Sequence, residues 1–171
     1  MDGALIRAWE LSLRSPRLLR LGQAHLAYSN QIAEQRGAIT GGLICSPPNS
    51  PECDVDPGYT PVDHDQRNTL NVGFDAALPS HTFVSTNVYY GSGFTNGDPD
   101  PSTPYPNDYL PQHTTVDLSI GKTFAENLKV SITATNLANR RVLLDNSLTF
   151  GGFHYNDPRE IYGEIHYRFK Y

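Results

Sequence analysis

Few residues in this chain have the types and spacing that chemistry needs. His64 stands between Asp63 and Asp65, a grouping that suits a metal ion or a charge relay; it reads more simply as a solvated loop preceding a strand. Asp98 and Asp100 follow Gly97 like the start of a calcium loop, but an EF-hand's later glutamate is missing and the prolines between them fit a turn. Ser92 in Gly91-Ser92-Gly93 is not a nucleophile elbow, which needs Gly-x-Ser-x-Gly. Cys45 and Cys53 are the only cysteines. With no histidine pair at ligand spacing near them, zinc is not indicated. Prolines between them stiffen the segment and bring its ends together, which suits a small closed disulfide; the alternative is two free thiols in a loop. A disulfide implies an oxidising compartment. No catalytic residue, metal or cofactor is assigned, and the chain reads as something other than an enzyme.

Period-two strands dominate the rest. From Arg159 to Tyr171 the chain alternates: Ile161, Gly163, Ile165, Tyr167, Phe169 and Tyr171 share one face, and Glu160, Tyr162, Glu164, His166, Arg168 and Lys170 the other. Successive strand side chains point to opposite sides, so this is one strand with an apolar and a wet face. Such a strand fits a transmembrane barrel, with lipid outside and a polar lumen inside, and equally the edge of a soluble sandwich. Four more runs match the same period, over 70–78, 84–90, 116–124 and 128–135, with Lys122 interrupting one apolar face. Leu5, Trp9, Leu11 and Leu13 form a similar set interrupted by Arg7. Residues 18–35 suit either a helical stripe or a strand; the spacing of the connections favours a strand.

Composition sets outer bounds. At 171 residues the chain is one domain's worth. Its net charge of −5 gives a nucleic-acid partner no electrostatic support. No apolar run is long enough for a membrane-crossing helix. The negative mean hydropathy still allows a barrel, because barrel strands give only every second residue to lipid. Met1-Asp2-Gly3 leads straight into a periodic segment without the pattern of a secretion signal, so a cytoplasmic protein or the C-terminal piece of a longer chain is expected.

The connections alternate in length. Tight turns fall at Arg14-Ser15-Pro16-Arg17, Leu78-Pro79-Ser80 and Ala125-Glu126-Asn127, and long loops run from Gly37 to Asp65, Gly91 to Gln112 and Ala138 to Pro158. Turns at one end and loops at the other describe outer-membrane barrels, with the turns periplasmic and the loops outside. Long structureless loops are otherwise uncommon in compact domains. This orientation places Cys45 and Cys53 outside the cell.

The C-terminal third resembles the end of TonB-dependent outer-membrane receptors. The resemblance rests on Val116-Asp117-Leu118-Ser119-Ile120-Gly121, on Leu128 to Asn139 with its Ala134-Thr135-Asn136-Leu137-Ala138-Asn139 end, on Asn156-Asp157-Pro158-Arg159, and on Ile165-His166-Tyr167-Arg168-Phe169. Upstream, Asp63 to Leu70 and Tyr90-Gly91-Ser92-Gly93-Phe94 resemble the motifs flanking strands of such barrels, so the likeness covers 66–171 well and the first part weakly. It departs at the end, Phe169-Lys170-Tyr171, where the family commonly closes on the aromatic itself.

The resemblance implies an all-β fold: an antiparallel meander of about seven long strands, forming a partial transmembrane β-barrel. Residues 1–171 would then be the C-terminal segment of a receptor whose plug is absent here. The family's barrel has 22 strands, and seven would leave two edges unpaired in lipid, so a fragment is expected. The implied parent takes up a large scarce ligand, a metal chelate or a glycan, with TonB energy. Its implied partners are outer-membrane lipid, the remaining strands and plug, the barrel-insertion machinery, and TonB through the missing N-terminal part; the implied location is the outer membrane of a Gram-negative bacterium. Tyr59, Tyr105, Tyr109 and Tyr155 are the ligand-loop candidates, and Tyr167, Phe169 and Tyr171 the insertion signal. The alternative is a small self-contained outer-membrane or secreted β-barrel or β-sandwich acting as a binding module. A sandwich hydrolase is disfavoured, because no nucleophile and base are evident.

Overall fold

A computed structural model of the chain describes residues 3–18, 21–36, 58–62, 64–97, 107–146 and 152–169. Seven strands form one antiparallel meander: β1 (Gly3–Arg14), β2 (Gly22–Arg36), β4 (Asn68–Leu78), β5 (Thr82–Gly91), β6 (His113–Phe124), β7 (Leu128–Thr135) and β10 (Glu160–Tyr167). The two-residue β3 (Thr60–Pro61) adds to the end of β2, and β8 (Leu143–Asp145) pairs with β9 (His154–Tyr155) in a separate small hairpin. The chain is therefore all-β, with the meander expected of a partial barrel. The ambiguous segment is a strand, but it begins at Gly22, because Leu18 turns back to pair with Gly22. The last strand is shorter than the alternation of its residues: ladder pairing stops at Tyr167, and one further bond runs from the Arg168 N–H to the Asn127 carbonyl.

Register sorts the side chains. Directly paired residues share a face, so one row crosses five strands as Leu13, Leu26, Val72, Val88 and Val116. Another runs Ala76, Val84, Ile120, Ile132 and Gly163. The opposite face carries Asp75, Ser85, Ser119, Thr133 and Tyr162 in matching positions. There Ser85 donates to Asp75 at 2.6 Å and Thr133 to Ser119 at 2.9 Å. The apolar face is bare: Ile132 is 55% exposed, Ile161 65% and Ile165 73%. A continuous apolar surface across seven strands far exceeds what a water-soluble monomer leaves uncovered.

Aromatic side chains bound this face at both ends. Toward the loops stand Trp9 and Tyr28, with ring centroids 5.1 Å apart, and Tyr90. Toward the turns stand Phe124 and Tyr167, each paired to Leu128. Lys122, the break in the apolar face, lies near this turn end with its ammonium 5.4 Å from the Phe124 ring centre. Thr114, opposite Tyr90, and Phe124 lie ten residue steps apart on β6. That is roughly 34 Å of strand, and roughly 24–28 Å of height at the usual barrel tilt, close to the apolar band of an outer-membrane barrel.

The turns between β1 and β2, β4 and β5, and β6 and β7 lie at one end, and the long connections at the other. Two of the short turns contain non-glycine residues at positive φ: Ser80 (63°) and His81 (58°) in the turn Pro79–His81, and Ala125 (52°) before β7. The long connections carry most of the buried residues: Asp65, Gln66, Asn96, Leu110, Asn136, Val142, Leu143, Asp145 and Asn146. The bare sheet is thus a wall, and the packed interior sits above it in the loops.

Candidate functional site

The loops are built on a buried carboxylate. The Asp65 side chain is 0% exposed. It accepts from the Ala33 N–H at 3.1 Å and from the Tyr109 hydroxyl at 3.0 Å, and Arg67 Nε lies 3.2 Å away. Arg67 Nε donates to the Tyr109 oxygen at 2.6 Å, and its Nη2 reaches Glu34 at 3.4 Å. The end of β2, the segment before β4 and the segment before β6 are thereby joined at one point. The hydrogen bond that Arg67 donates to Tyr109, and the charges of Asp65 and Glu34, raise the Arg67 pKa against the opposing effect of burial. Burial is the main cause that holds the Tyr109 phenol above its ordinary value, so it stays a donor to Asp65 through the physiological range. The expectation of a solvated loop at Asp63-His64-Asp65 is corrected for Asp65: a charge is buried when paired and hydrogen-bonded, and its partners lie 32 and 44 residues away. His64 is exposed, and Asp63 lies outside the described residues.

A second brace is made of amides. Asn146 donates to Asn96 at 2.7 Å and accepts from the Gly97 N–H at 3.0 Å, tying the β8 end to the loop after β5. Asn136 bridges the carbonyls of Arg140 and Asp157 and accepts from the Arg140 N–H. Asn156 accepts from the Val142 N–H at 2.7 Å. Gly93 is needed in this region: its φ is +98°, and a Cβ there would collide with the Leu110 carbonyl, where the Leu110 N–H bonds to Phe94. Gly93→Ala should therefore cost about 2–3 kcal/mol from backbone strain and overpacking, read as a lower urea midpoint with an unchanged slope.

Between these braces the polar face opens into a groove of about 410 Å³. Tyr89, His113 and Phe94 line one side, with centroids 5.7 Å apart for Tyr89–His113 and 5.9 Å for Phe94–His113. Thr115, Asp117, Thr135 and Glu160 line it along the strands, and Val142, Leu144, Asn156, Asp157 and Pro158 come from the last loop. Tyr89 donates to Gln66, which anchors its ring.

The residues singled out from sequence fall in different places. Tyr109 belongs to the Asp65 cluster. Tyr59 lies beneath Arg36, whose guanidinium is 5.6 Å from the ring centre, and Tyr155 beneath Arg141 at 3.8 Å. Tyr167 and Phe169 form an edge-to-face pair at 4.8 Å at the turn end. Cys45, Cys53, Tyr105 and Tyr171, like Asp98 and Asp100, lie outside the described residues. Sequence reading missed Tyr89, Phe94 and His113, although one signal was available: Tyr89 and His113 are rings on the wet face of strands whose neighbours there are Asn87, Thr115 and Asp117.

No protein-family model matches the sequence, and no curated protein matches it. The fold is similar to that of the ferric-catecholate import receptor Fiu from E. coli K12, crystallised in its closed form. The TM-score is 0.70 over 97% of this chain at 14% sequence identity. This chain spans 21% of that receptor's chain, about a fifth of its length. The likeness establishes the fold alone: an all-β antiparallel meander, consistent with a partial barrel.

Proposed function

We propose that the chain is part of the barrel wall of a TonB-dependent outer-membrane receptor, with its long loops outside the cell and its turns in the periplasm. The observation that carries this reading is the apolar face spanning all seven strands, bounded by aromatic residues at both ends and opposed by a polar face. The segregation of loops from turns and the fold likeness to Fiu support it. The role is uptake of a large scarce ligand, a metal chelate or a glycan, with lipid, the insertion machinery and a plug as partners. TonB engages a part of the receptor outside this sheet.

Strand parity sharpens the proposal. With seven strands in a meander, β1 and β10 run in the same direction. Edges that run alike cannot pair antiparallel, whether in one chain or between copies inserted the same way. All-antiparallel closure, the habit of bacterial barrels, takes an odd number of further strands. Immunoblotting of fractionated host cells, with antibody raised against this chain, tests both points. We expect the antigen in the outer-membrane fraction, on a polypeptide much heavier than 19.0 kDa. Antigen confined to the cytosol would refute the membrane reading.

A further inference from the structure

We infer that the groove at the loop end of the polar face is a saccharide subsite, taking a neutral sugar ring of a glycan. The inference deepens the receptor reading by choosing between its two ligand classes, and rests on that reading only for the groove's position at the mouth of the barrel. The volume of about 410 Å³ lies within the range of small-molecule sites, about 300–1,000 Å³. Three rings, Tyr89, His113 and Phe94, form one side, and the C–H face of a sugar packs on such rings while its hydroxyls point away.

What meets those hydroxyls is acceptor-rich. Asp117, Asp157 and Glu160 line the groove. Asp117 accepts from the Asn136 N–H through Oδ1 at 2.9 Å; its Oδ2 and the carboxylates of Asp157 and Glu160 have no partner among the described residues. Carboxylates only accept, and hydroxyl donors to them make charge-assisted bonds. Among the described residues the lining contains no lysine or arginine. An anionic chelate would therefore face three like charges with no cation in the described lining to offset them, a repulsive arrangement that selects against it. The Asn136 and Asn156 amides are bound to loop backbone, so the walls are set before a ligand arrives and little ordering is required on binding.

The test uses the intact polypeptide that carries this chain, purified in detergent with its strand content verified by circular dichroism, and saturation-transfer NMR against maltose, cellobiose and chitobiose. Citrate and choline serve as anionic and cationic comparators. We expect transfer to ring protons of at least one disaccharide, at least fivefold weaker binding in Phe94→Ala and about threefold weaker in Glu160→Gln, whose side chain supports no other residue. Citrate and choline should give no transfer that these variants alter. Folded protein that binds none of the three sugars overturns the inference, as does citrate or choline binding that Phe94→Ala abolishes. Neither result touches the membrane reading, which stands or falls on fractionation.

Discussion

Ile132→Arg should destabilise the protein in lipid bilayers by about 2–4 kcal/mol, while Thr133→Arg, one residue along, should cost about 1 kcal/mol or less. Ile132 sits mid-strand in β7, opposite Ile120 and Gly163 on the apolar face. It is four residues from Leu128 at the turn-end aromatic row, which sets it at a depth of roughly 10 Å at the usual tilt. A guanidinium there has no water and no counter-charge. Thr133 faces the opposite way, and its replacement forfeits one hydrogen bond to Ser119 at a wet surface. The measurement is urea unfolding in vesicles followed by the fluorescence of Trp9, the single tryptophan, which stands against Tyr28 in the loop-end aromatic row. Equal costs for the two substitutions would mean that both faces see the same solvent.

Asp65→Ala should have the second largest effect, about 3 kcal/mol, with the loops loosened before the sheet. The substitution leaves the Ala33 N–H without its acceptor, the Tyr109 hydroxyl without its acceptor, and Arg67 with the neutral Tyr109 oxygen and the more distant Glu34 carboxylate as partners. Removing one member of a buried pair costs about 3–5 kcal/mol. Arg67 retains 29% side-chain exposure, and that partial hydration places the figure at the lower end. Tyr109→Phe removes the bridging hydroxyl alone and should cost about 1 kcal/mol. Limited proteolysis of refolded protein reads the order of events: cleavage near residues 58–67 and 91–97 should precede any loss of strand signal in Asp65→Ala. Simultaneous loss of both would make Asp65 part of the sheet's own stability.

The sheet was legible because a half-buried strand writes its environment into alternate residues. Leu128 to Thr135 alternates over its full length, and the strand has those bounds. Gly22–Arg36 was harder, since Leu18, Leu21, His25, Tyr28 and Ile32 also fit a helical stripe; only the connection lengths decided it. The loops were illegible for a different reason. β3 and β9 are two residues long, too short to show any period. Asp65 reads as a surface residue among polar neighbours, because nothing local announces partners on β2 and before β6. The groove likewise gathers Tyr89, Phe94 and His113 from the β5–β6 hairpin and its long connection, and Asp157 from the last loop, residues that no local sequence pattern links.

We expect one face of this sheet to meet lipid and the other water. Spin labels placed singly at 128–135 of β7, after Cys45→Ser and Cys53→Ser, test it most directly through collision with oxygen and with a water-soluble nickel chelate. The expected result is a period of two: oxygen contact high at 128, 130, 132 and 134, and nickel contact high at 129, 131, 133 and 135. Nickel contact of equal strength at all eight positions would mean that both faces of the sheet meet water.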